Sequence, residues 1–378
     1  MSPSFTRRLE TKIPAAILAC GLIVVCTWSI SWTSPDPVIA AHIWMQIIVT
    51  LGIASIFMFG VQNTQPINLW VGLFLLVAMV SLFFSTYRPP SLGLVLNKRW
   101  IFSPATFGFY TILLGVAWYA MIVATFTPAT VRWLMDAICI IALANVLFLF
   151  MQAFGYDPIN ATTTAPTGLT PNQNHASALL AFCAPAFLRG KWRWALPLLV
   201  PAICITKSVG GVVALGAGTA FYLTLFYSWQ WGVSVSVIGV LLYSQAVDPI
   251  YKDNVRLEMW GIGWEKFKLF PWLGHGPGQW QTALHEIYFV KQGTETWHAR
   301  AHNEYIQGVV EMGIPFLIVV AGYLVDIFKR IKRHALLPLT ALVIILTNSL
   351  VNFPFHIPAT GIIAVTWMAM LEVQLKET

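Results

Sequence analysis

Long apolar stretches recur along the whole chain, and this feature constrains the fold more than any other. A segment that crosses a bilayer needs about 20 mostly apolar residues, because in hydrocarbon only a helix or a closed barrel pairs every backbone N–H and C=O group. The stretches are continuous rather than alternating, which predicts helices. Of the 378 residues, 57% are hydrophobic and only 10% are charged, so the class of soluble globular proteins is excluded.

The stretches predict an all-α, polytopic membrane protein with about 12 transmembrane helices. Residues 1–245 hold predicted spans 1 to 9, residues 246–302 form one long loop with short helices, and residues 303–378 hold the remaining spans, all in a single membrane domain. The first stretch has no convincing small-residue cleavage site, so we interpret it as a span rather than a signal peptide. The predicted spans are 13–33, 38–59, 67–86, 105–125, 130–151, 174–188, 193–206, 210–227, 229–246, 303–326, 335–352 and 356–374.

Basic residues in the short loops predict the orientation, because Lys and Arg near the ends of spans stay in the cytoplasm. Both termini are therefore predicted to be cytoplasmic, and the loop 246–302 to lie on the outer face. One connection disagrees, since it is predicted to lie outside and yet carries Arg88, Lys98 and Arg99. The basic residues that share the cytoplasmic side are Arg7, Arg8, Lys12, Arg189, Lys191, Arg193, Lys329, Arg330, Lys332 and Arg333.

The net charge of +7 and the pI near 9.2 raise the question of a nucleic-acid partner. About half of the basic residues belong to the cytoplasmic loops, so we predict contact with anionic membrane lipids and no nucleic acid. The five cysteines all lie inside apolar stretches and show no paired spacing in any loop. Neither a disulfide framework nor a thiolate metal site is predicted.

Few ionisable residues lie within the predicted spans, where a charge is costly and usually functional. Asp136 follows Arg132 by four residues, which predicts an ion pair near the cytoplasmic interface. Glu304, Gln307 and Glu311 share one face of the tenth predicted helix. This stripe is either polar packing between helices or the wall of a polar cavity that opens to the outside.

Two short outer segments have the composition of functional loops. The first precedes the sixth span, is rich in Pro, Gly and Asn, and includes Asn172 and Asn174. The second is the turn with Lys207 and Ser208 between the seventh and eighth spans. Lys207 either extends its ammonium from a helix end to the membrane surface, or holds a phosphate together with the backbone N–H groups of the turn.

The long loop carries most of the remaining charged residues, and loops of this length are usually functional. Its glycines 274, 276 and 278 predict a turn and not a nucleotide fingerprint, because no strand and helix flank them. His298 and His302 stand four residues apart, but no Glu lies between them and no third ligand has a recognisable spacing, so no metal is predicted.

The second half of the chain resembles the O-antigen ligase and polymerase superfamily. The resemblance rests on the run from His302 to Gln307 followed by Glu311-Met-Gly313, on Arg256 and Trp260, and on Pro271 to Gly276. The segments around Asn172 and Lys207 fall in the order that the family shows. The family often has Arg after the Ser of that turn, whereas Val209 stands here, so Lys207 or one of Arg88, Lys98 and Arg99 would substitute.

The resemblance implies a metal-independent membrane glycosyltransferase without a cofactor, at the periplasmic face of a bacterial inner membrane. Its donor would be a glycan on undecaprenyl pyrophosphate, and its acceptor a hydroxyl of lipid A core in a ligase or of a growing glycan in a polymerase. Chain length, helix count and the position of the long loop favour the ligase. The implied site residues are His302, Glu304 and Glu311 for catalysis, Arg256, Lys207, Arg300 and Ser208 for the donor pyrophosphate, and Asn172, Asn174, Trp260, Gly274, Gly276 and Asn303 for the shape of the site.

The residue types suit this chemistry on their own. Arginine offers paired donors to phosphate oxygens, and a histidine with a pKa near 6.5 accepts a proton from a hydroxyl at neutral pH. His302 could instead cap the tenth helix, and Glu304 or Glu311 could orient it or act as the base. Trp260, Trp272 and Trp280 could stack on sugars or anchor the chain at the interface. Two other function classes stay open. One is a transporter, which would show inverted repeats and more intramembrane charges, and the other is a metallohydrolase.

Overall fold

The computed structural model describes residues 12–27, 37–60, 66–85, 104–158, 166–235, 254–280, 282–283 and 300–376. Every regular element in these ranges is a helix, which confirms the all-α class. The helices, numbered here in chain order, are α1 Ile13–Thr27, α2 Pro37–Phe59, α3 Leu69–Phe83, α4 Pro104–Thr125, α5 Val131–Ala153, α6 Gln173–Phe187, α7 Leu196–Ile205, α8 Val209–Phe226, α9 229–235, α10 Asn254–Leu269, α11 Glu304–Met312, α12 Ile314–Lys329, α13 Leu336–Asn348 and α14 Pro358–Leu375.

The helices agree with a membrane protein. By length and composition, α4, α5, α8 and α14 can each cross a membrane, and α1, α3, α13 and part of α2 are shorter apolar helices. The total of about 12 spans remains a prediction. Of the ninth predicted span only α9 falls among the described residues, and Arg88, Lys98, Arg99 and His298 lie outside them.

The predicted span 303–326 is not continuous, because α11 ends at Met312 and α12 begins at Ile314. Gly313 between them has a φ of 71°, which favours glycine and interrupts the helix. A Cβ on Gly313 would lie 2.6 Å from the carbonyl of Trp272, so the long loop packs directly on this break. The sequence predicted one continuous helix here, so this part of the prediction is wrong.

Asparagine side chains fix several helix starts near the predicted boundaries. Asn68 accepts a hydrogen bond from the Trp70 amide at the start of α3, and Asn172 accepts one from the Asn174 amide at the start of α6. An amide oxygen at this position satisfies N–H groups that have no partner within the helix.

The last helix, α14, forms the centre of the bundle, because nearly all of its residues are buried. It packs on α4, α6 and α13. Two indole N–H groups link these helices: Trp118 donates to Thr366 at 2.9 Å, and Trp367 donates to the Phe182 carbonyl at 2.8 Å. A buried indole needs such an acceptor, so these bonds specify how α14 is seated.

The bundle has two polar ends. At the first, here called the His302 end, Ser85 donates to the His275 carbonyl, and Asn352 donates to the Asn174 carbonyl. These contacts join connections that the sequence places on the outer side. At the opposite end, here called the Arg330 end, contacts join connections that the sequence places in the cytoplasm. The structure therefore groups the connections at the two ends in the way that the predicted alternation of spans requires. The compartment that each end faces remains a prediction.

At the Arg330 end, one cation pairs with two carboxylates from different helices. Arg330 donates to both oxygens of Glu372 at 3.0 Å and to Asp326. Asn68 donates to the same two carboxylates, at 2.9 Å to Asp326 and 3.1 Å to Glu372. Glu372 is almost fully buried, so this network balances a charge that would otherwise be costly in the protein interior.

Candidate functional site

His302 has an unusual backbone conformation. Among the described residues, the non-glycine residues with a left-handed φ are His302 at 53° and Lys207 at 55°. This conformation costs about 1–2 kcal/mol for a residue with a Cβ, and such strain is concentrated at functional sites. The sequence analysis named both residues as site candidates. In the structure both adopt a backbone conformation that a residue with a Cβ disfavours.

The His302 side chain is half-buried and lies edge-on against the Phe353 ring, with ring centroids 4.8 Å apart. His175 contacts the same ring from α6, at 5.0 Å. On the chain before His302, the Ala301 carbonyl accepts the Trp260 indole N–H at 2.7 Å. Helix α10 of the long loop thus holds the His302 segment against the bundle.

Asn303 caps helix α11. Its side-chain oxygen accepts from the Tyr305 and Ile306 amides, both at 3.0 Å, and its NH₂ donates to the Leu350 carbonyl at 3.0 Å. Capping is therefore done by Asn303, which leaves the His302 imidazole outside that role. The Glu304 amide also donates to the Ser349 carbonyl at 2.9 Å, so the start of α11 is attached to the turn after α13.

Glu304 pairs with a residue that the sequence did not single out. Its carboxylate accepts from the Phe355 amide at 2.7 Å and lies 3.0 Å from Nδ1 of His356. His356 belongs to a short turn between two prolines before α14. Its only sequence signal is a histidine at the first residue of the last predicted span, which is too common to indicate a site.

Gln307 determines the tautomer of His356. The Gln307 oxygen accepts from the Ala301 amide at 3.2 Å, so its nitrogen donates to Nε2 of His356 and to Glu311, both at 2.9 Å. Nε2 of His356 must then be an acceptor, and the ring proton lies on Nδ1, from which it is donated to Glu304. The predicted polar stripe is a connected, buried hydrogen-bond network.

Glu311 is surrounded by donors. Besides Gln307, the Gly278 amide donates to its carboxylate at 2.7 Å and the Trp280 amide at 3.2 Å. A carboxylate that accepts several hydrogen bonds holds its donors in place. This geometry favours a positioning role for Glu311, which fixes the glycine turn.

The glycine turn of the long loop caps the broken end of α11. The His275 amide donates to the Val310 carbonyl at 3.0 Å, and the Gly276 amide donates to the Glu311 carbonyl at 2.8 Å. Gly274 has a φ of 64°, and a Cβ there would lie 2.3 Å from the backbone of Glu311. The predicted turn is confirmed, and the reason for its glycines is close backbone approach to α11.

Two predicted cations of the long loop, Arg300 and Arg256, fall among the described residues. Burial lowers the pKa of the Arg300 guanidinium, whereas the negative charges of Glu311 and Glu304 raise it. Arg300 is therefore close enough to balance both carboxylates and remains cationic. Arg256 lies one turn before Trp260 on α10, on the face that meets the segment before His302.

The turn with Lys207 and Ser208 opens helix α8. Ser208 is buried, its amide donates to the Thr206 hydroxyl at 3.2 Å, and its carbonyl accepts from Ser177 at 3.4 Å. Lys207 is exposed at the start of this helix, where N–H groups and the helix dipole favour an anion.

Asn348 lies next to the same turn and was not predicted. It is fully buried, and within the described part of the chain neither atom of its amide has a hydrogen-bond partner. A Cβ on Gly210 would lie 3.6 Å from its nitrogen. A buried amide without a partner is costly, which marks this position beside the start of α8 as one where a polar group would be stabilised.

The predicted Asn172 and Asn174 have structural contacts. Asn172 is the exposed cap of α6, and the backbone carbonyl of Asn174 accepts from Asn352. A contact series runs from His302 through Phe353 to His175, and two residues further along α6 Ser177 meets Ser208. The structure thus places His302 and the Lys207 turn at one end of the bundle, connected through α6.

Tryptophans differ sharply in their surroundings. Trp280 is fully buried in a cluster with Met259 and Val310, so it packs the long loop and presents no face to a sugar. Trp272 is 66% exposed at the loop surface.

Within the described residues, no three His, Cys, Asp or Glu side chains come together in a group that could hold a metal ion.

Residues 175–321 match a family model described as O-antigen ligase. The match confirms the resemblance seen in the sequence, and it spans His302, Glu304 and Glu311 as well as the predicted cations of the long loop. Asn348 and His356 lie beyond it. A comparison with curated proteins gives no significant match.

Proposed function

We propose that this chain, a membrane protein with an O-antigen ligase domain at residues 175–321, transfers a glycan from undecaprenyl pyrophosphate to a hydroxyl of lipid A core. The observation that carries the proposal is His302, held at a left-handed φ just before α11 and two residues before Glu304, which pairs with His356. The site is proposed to face the periplasm of a bacterial inner membrane, with both termini in the cytoplasm.

The reaction needs a base for the acceptor hydroxyl. In the proposed step the acceptor oxygen bonds to the anomeric carbon, the bond from that carbon to the pyrophosphate oxygen breaks, and the hydroxyl proton passes to the His302 imidazole. Histidine is the side chain whose unperturbed pKa lies closest to neutral pH, and the half-buried position of His302 leaves part of its ring accessible to an acceptor. A single displacement of this kind inverts the configuration at the anomeric carbon.

Glu304 and Glu311 support the base in different ways. Glu304 holds the neutral His356 ring and the start of the turn before α14, whereas Glu311 holds the glycine turn. Because both carboxylates are engaged by donors, we assign proton transfer to His302 and positioning to the two glutamates. Their negative charges also stabilise the imidazolium that forms when His302 accepts the proton.

The departing pyrophosphate develops negative charge that must be stabilised. Lys207, Ser208 and the first N–H groups of α8 form one candidate cradle. The buried amide of Asn348, which has no hydrogen-bond partner in the described part of the chain, lies beside it. Arg256 and Arg300 approach from the long loop and are proposed to bind the same group as paired donors. These residues supply the donor-binding charge without requiring a metal.

The test is transfer by purified, reconstituted protein from an undecaprenyl pyrophosphate glycan, with lipid A core in one reaction and donor alone in another. Glycosylated core supports the ligase, whereas a ladder of longer lipid-linked glycans from donor alone assigns the chain to the polymerase alternative. If neither product forms with well-folded protein, the transferase proposal is wrong.

The site assignment has its own test. We expect His302→Ala to lower kcat by about 10²- to 10⁴-fold, the usual contribution of a positioned base. His334→Ala is the matched control, since this histidine lies at the Arg330 end and contacts the Gln374 carbonyl. Equal activity of the two variants would remove His302 from the mechanism even if the family reaction is correct.

A further inference from the structure

A pocket of about 510 Å³ lies at the end of the bundle opposite His302, between the start of α5 and the turn after α6. Helix α6 begins beside Phe353 at the His302 end and reaches this pocket at its other end. Its charged lining residues are Arg132, Arg189, Lys191 and Asp136. Three cations face one carboxylate, so the pocket attracts an anion.

The arginines of the pocket are available for a ligand. In the described part of the chain, neither Arg132 nor Arg189 forms a hydrogen bond or an ion pair with another side chain, and both are exposed. The predicted ion pair between Arg132 and Asp136 is therefore not formed in the described part of the chain. Arg132 also lies in the first turn of α5, where the helix dipole disfavours a cation and favours a bound anion.

The carboxylate and the aromatic residues of the pocket have defined partners. Asp136 accepts the Trp192 indole N–H at 2.6 Å, and the Lys191 ammonium lies 5.1 Å above the Trp192 ring. Trp194, in the same short helical turn, is 69% exposed. Tryptophan beside Lys and Arg at the ends of apolar helices is typical of the level of lipid headgroups.

We propose that this pocket binds the phosphate group of an anionic phospholipid. Arg132 and Arg189 are the donors to the phosphate oxygens, because guanidinium groups match these oxygens with paired hydrogen bonds. Asp136 does not contact the phosphate but fixes Trp192, which lines the pocket. The exposed Trp194 in the neighbouring turn favours a lipid over a free anion, because exposed tryptophan at the end of apolar helices is typical of the headgroup level. This site is separate from the proposed transferase site.

The test counts lipids that stay bound to the full-length protein. Protein in nanodiscs of equal parts phosphatidylglycerol and phosphatidylcholine is released and weighed by native mass spectrometry, with wild type, Arg189→Gln and Arg193→Gln in parallel. Arg193 is the matched control, because it lies in the same segment and carries the same charge but does not line the pocket.

We expect wild type and Arg193→Gln to retain about tenfold more phosphatidylglycerol than phosphatidylcholine, because one charge-assisted hydrogen bond contributes a factor of this size. Arg189→Gln should lose this preference. Equal loss in both variants would mean general surface attraction and would overturn the proposal. Equal retention of phosphatidylethanolamine in a third nanodisc, or displacement of the lipid by inorganic phosphate, would also overturn it, in favour of a zwitterionic headgroup or a soluble anion.

Discussion

Nδ1 of His356 lies 3.0 Å from the Glu304 carboxylate, although 52 residues and two further helices separate them in the chain. The contact connects the start of α11 with the turn before α14. Because Gln307 donates to the other ring nitrogen, His356 can hold Glu304 only as the neutral Nδ1–H form. The start of α11, which follows the proposed base His302, is therefore fixed by a residue from a distant part of the chain.

We predict that Glu304 and His356 are energetically coupled. Glu304→Gln and His356→Asn should each lower the free energy of unfolding. The double variant should lose about 1 kcal/mol less than the sum of the two single losses, because the second substitution removes a contact that the first has already broken. Denaturant titration of detergent-solubilised protein measures this. Glu304→Gln with His334→Asn is the control pair, and its effects should add, since these residues lie at opposite ends.

Gly274→Ala is predicted to destabilise the protein by about 2–4 kcal/mol, from a strained φ and from overlap of its Cβ with the Glu311 backbone. Gly261→Ala is the control, because a Cβ there meets nothing within 4 Å and lies in helix α10. We expect the control to be neutral or stabilising by up to about 1 kcal/mol. Thermal unfolding of both variants decides whether the close approach of the turn to α11 is required.

Arg330→Gln is predicted to cost about 3–5 kcal/mol, because it leaves the buried Glu372 without its principal cation. Lys268→Gln breaks the exposed pair with Glu265 and should cost about 0–1 kcal/mol. Both substitutions remove one positive charge, so a difference in thermal stability reports burial rather than net charge. A similar small loss in both would show that the Arg330 network is solvated.

His275 is predicted to make the protein sensitive to acid. Burial lowers the pKa of its imidazole below the ordinary value, and a hydrogen bond to the Lys266 carbonyl offsets part of this effect. The unfolded state then binds the proton more readily, so stability falls as the pH drops through the unfolded pKa near 6.5 and towards the folded one. His275→Gln should lose less stability than wild type between pH 7 and about 5. Parallel curves for the two proteins would contradict this.

The apolar stretches were long enough to predict the helices within a few residues, and the order of motifs was enough to indicate the family. The stripe of Glu304, Gln307 and Glu311 also followed from helical periodicity, because residues three and four apart share a face whatever the fold. The break at Gly313 did not follow, since it depends on the carbonyl of Trp272 packing against it from the long loop.

By itself, the sequence determined the all-helical class, most of the helix positions and the glycine turn, because these depend on local composition and spacing. The residues for proton transfer and phosphate binding stay predictions, and only the tertiary structure decided which of them contact one another. Among the described residues, it joined Glu304 to His356, engaged Glu311 with the turn, buried Trp280 and left the amide of Asn348 without a hydrogen-bond partner beside α8. Such pairings depend on which helices pack together, and many arrangements of equally apolar helices satisfy the same sequence pattern.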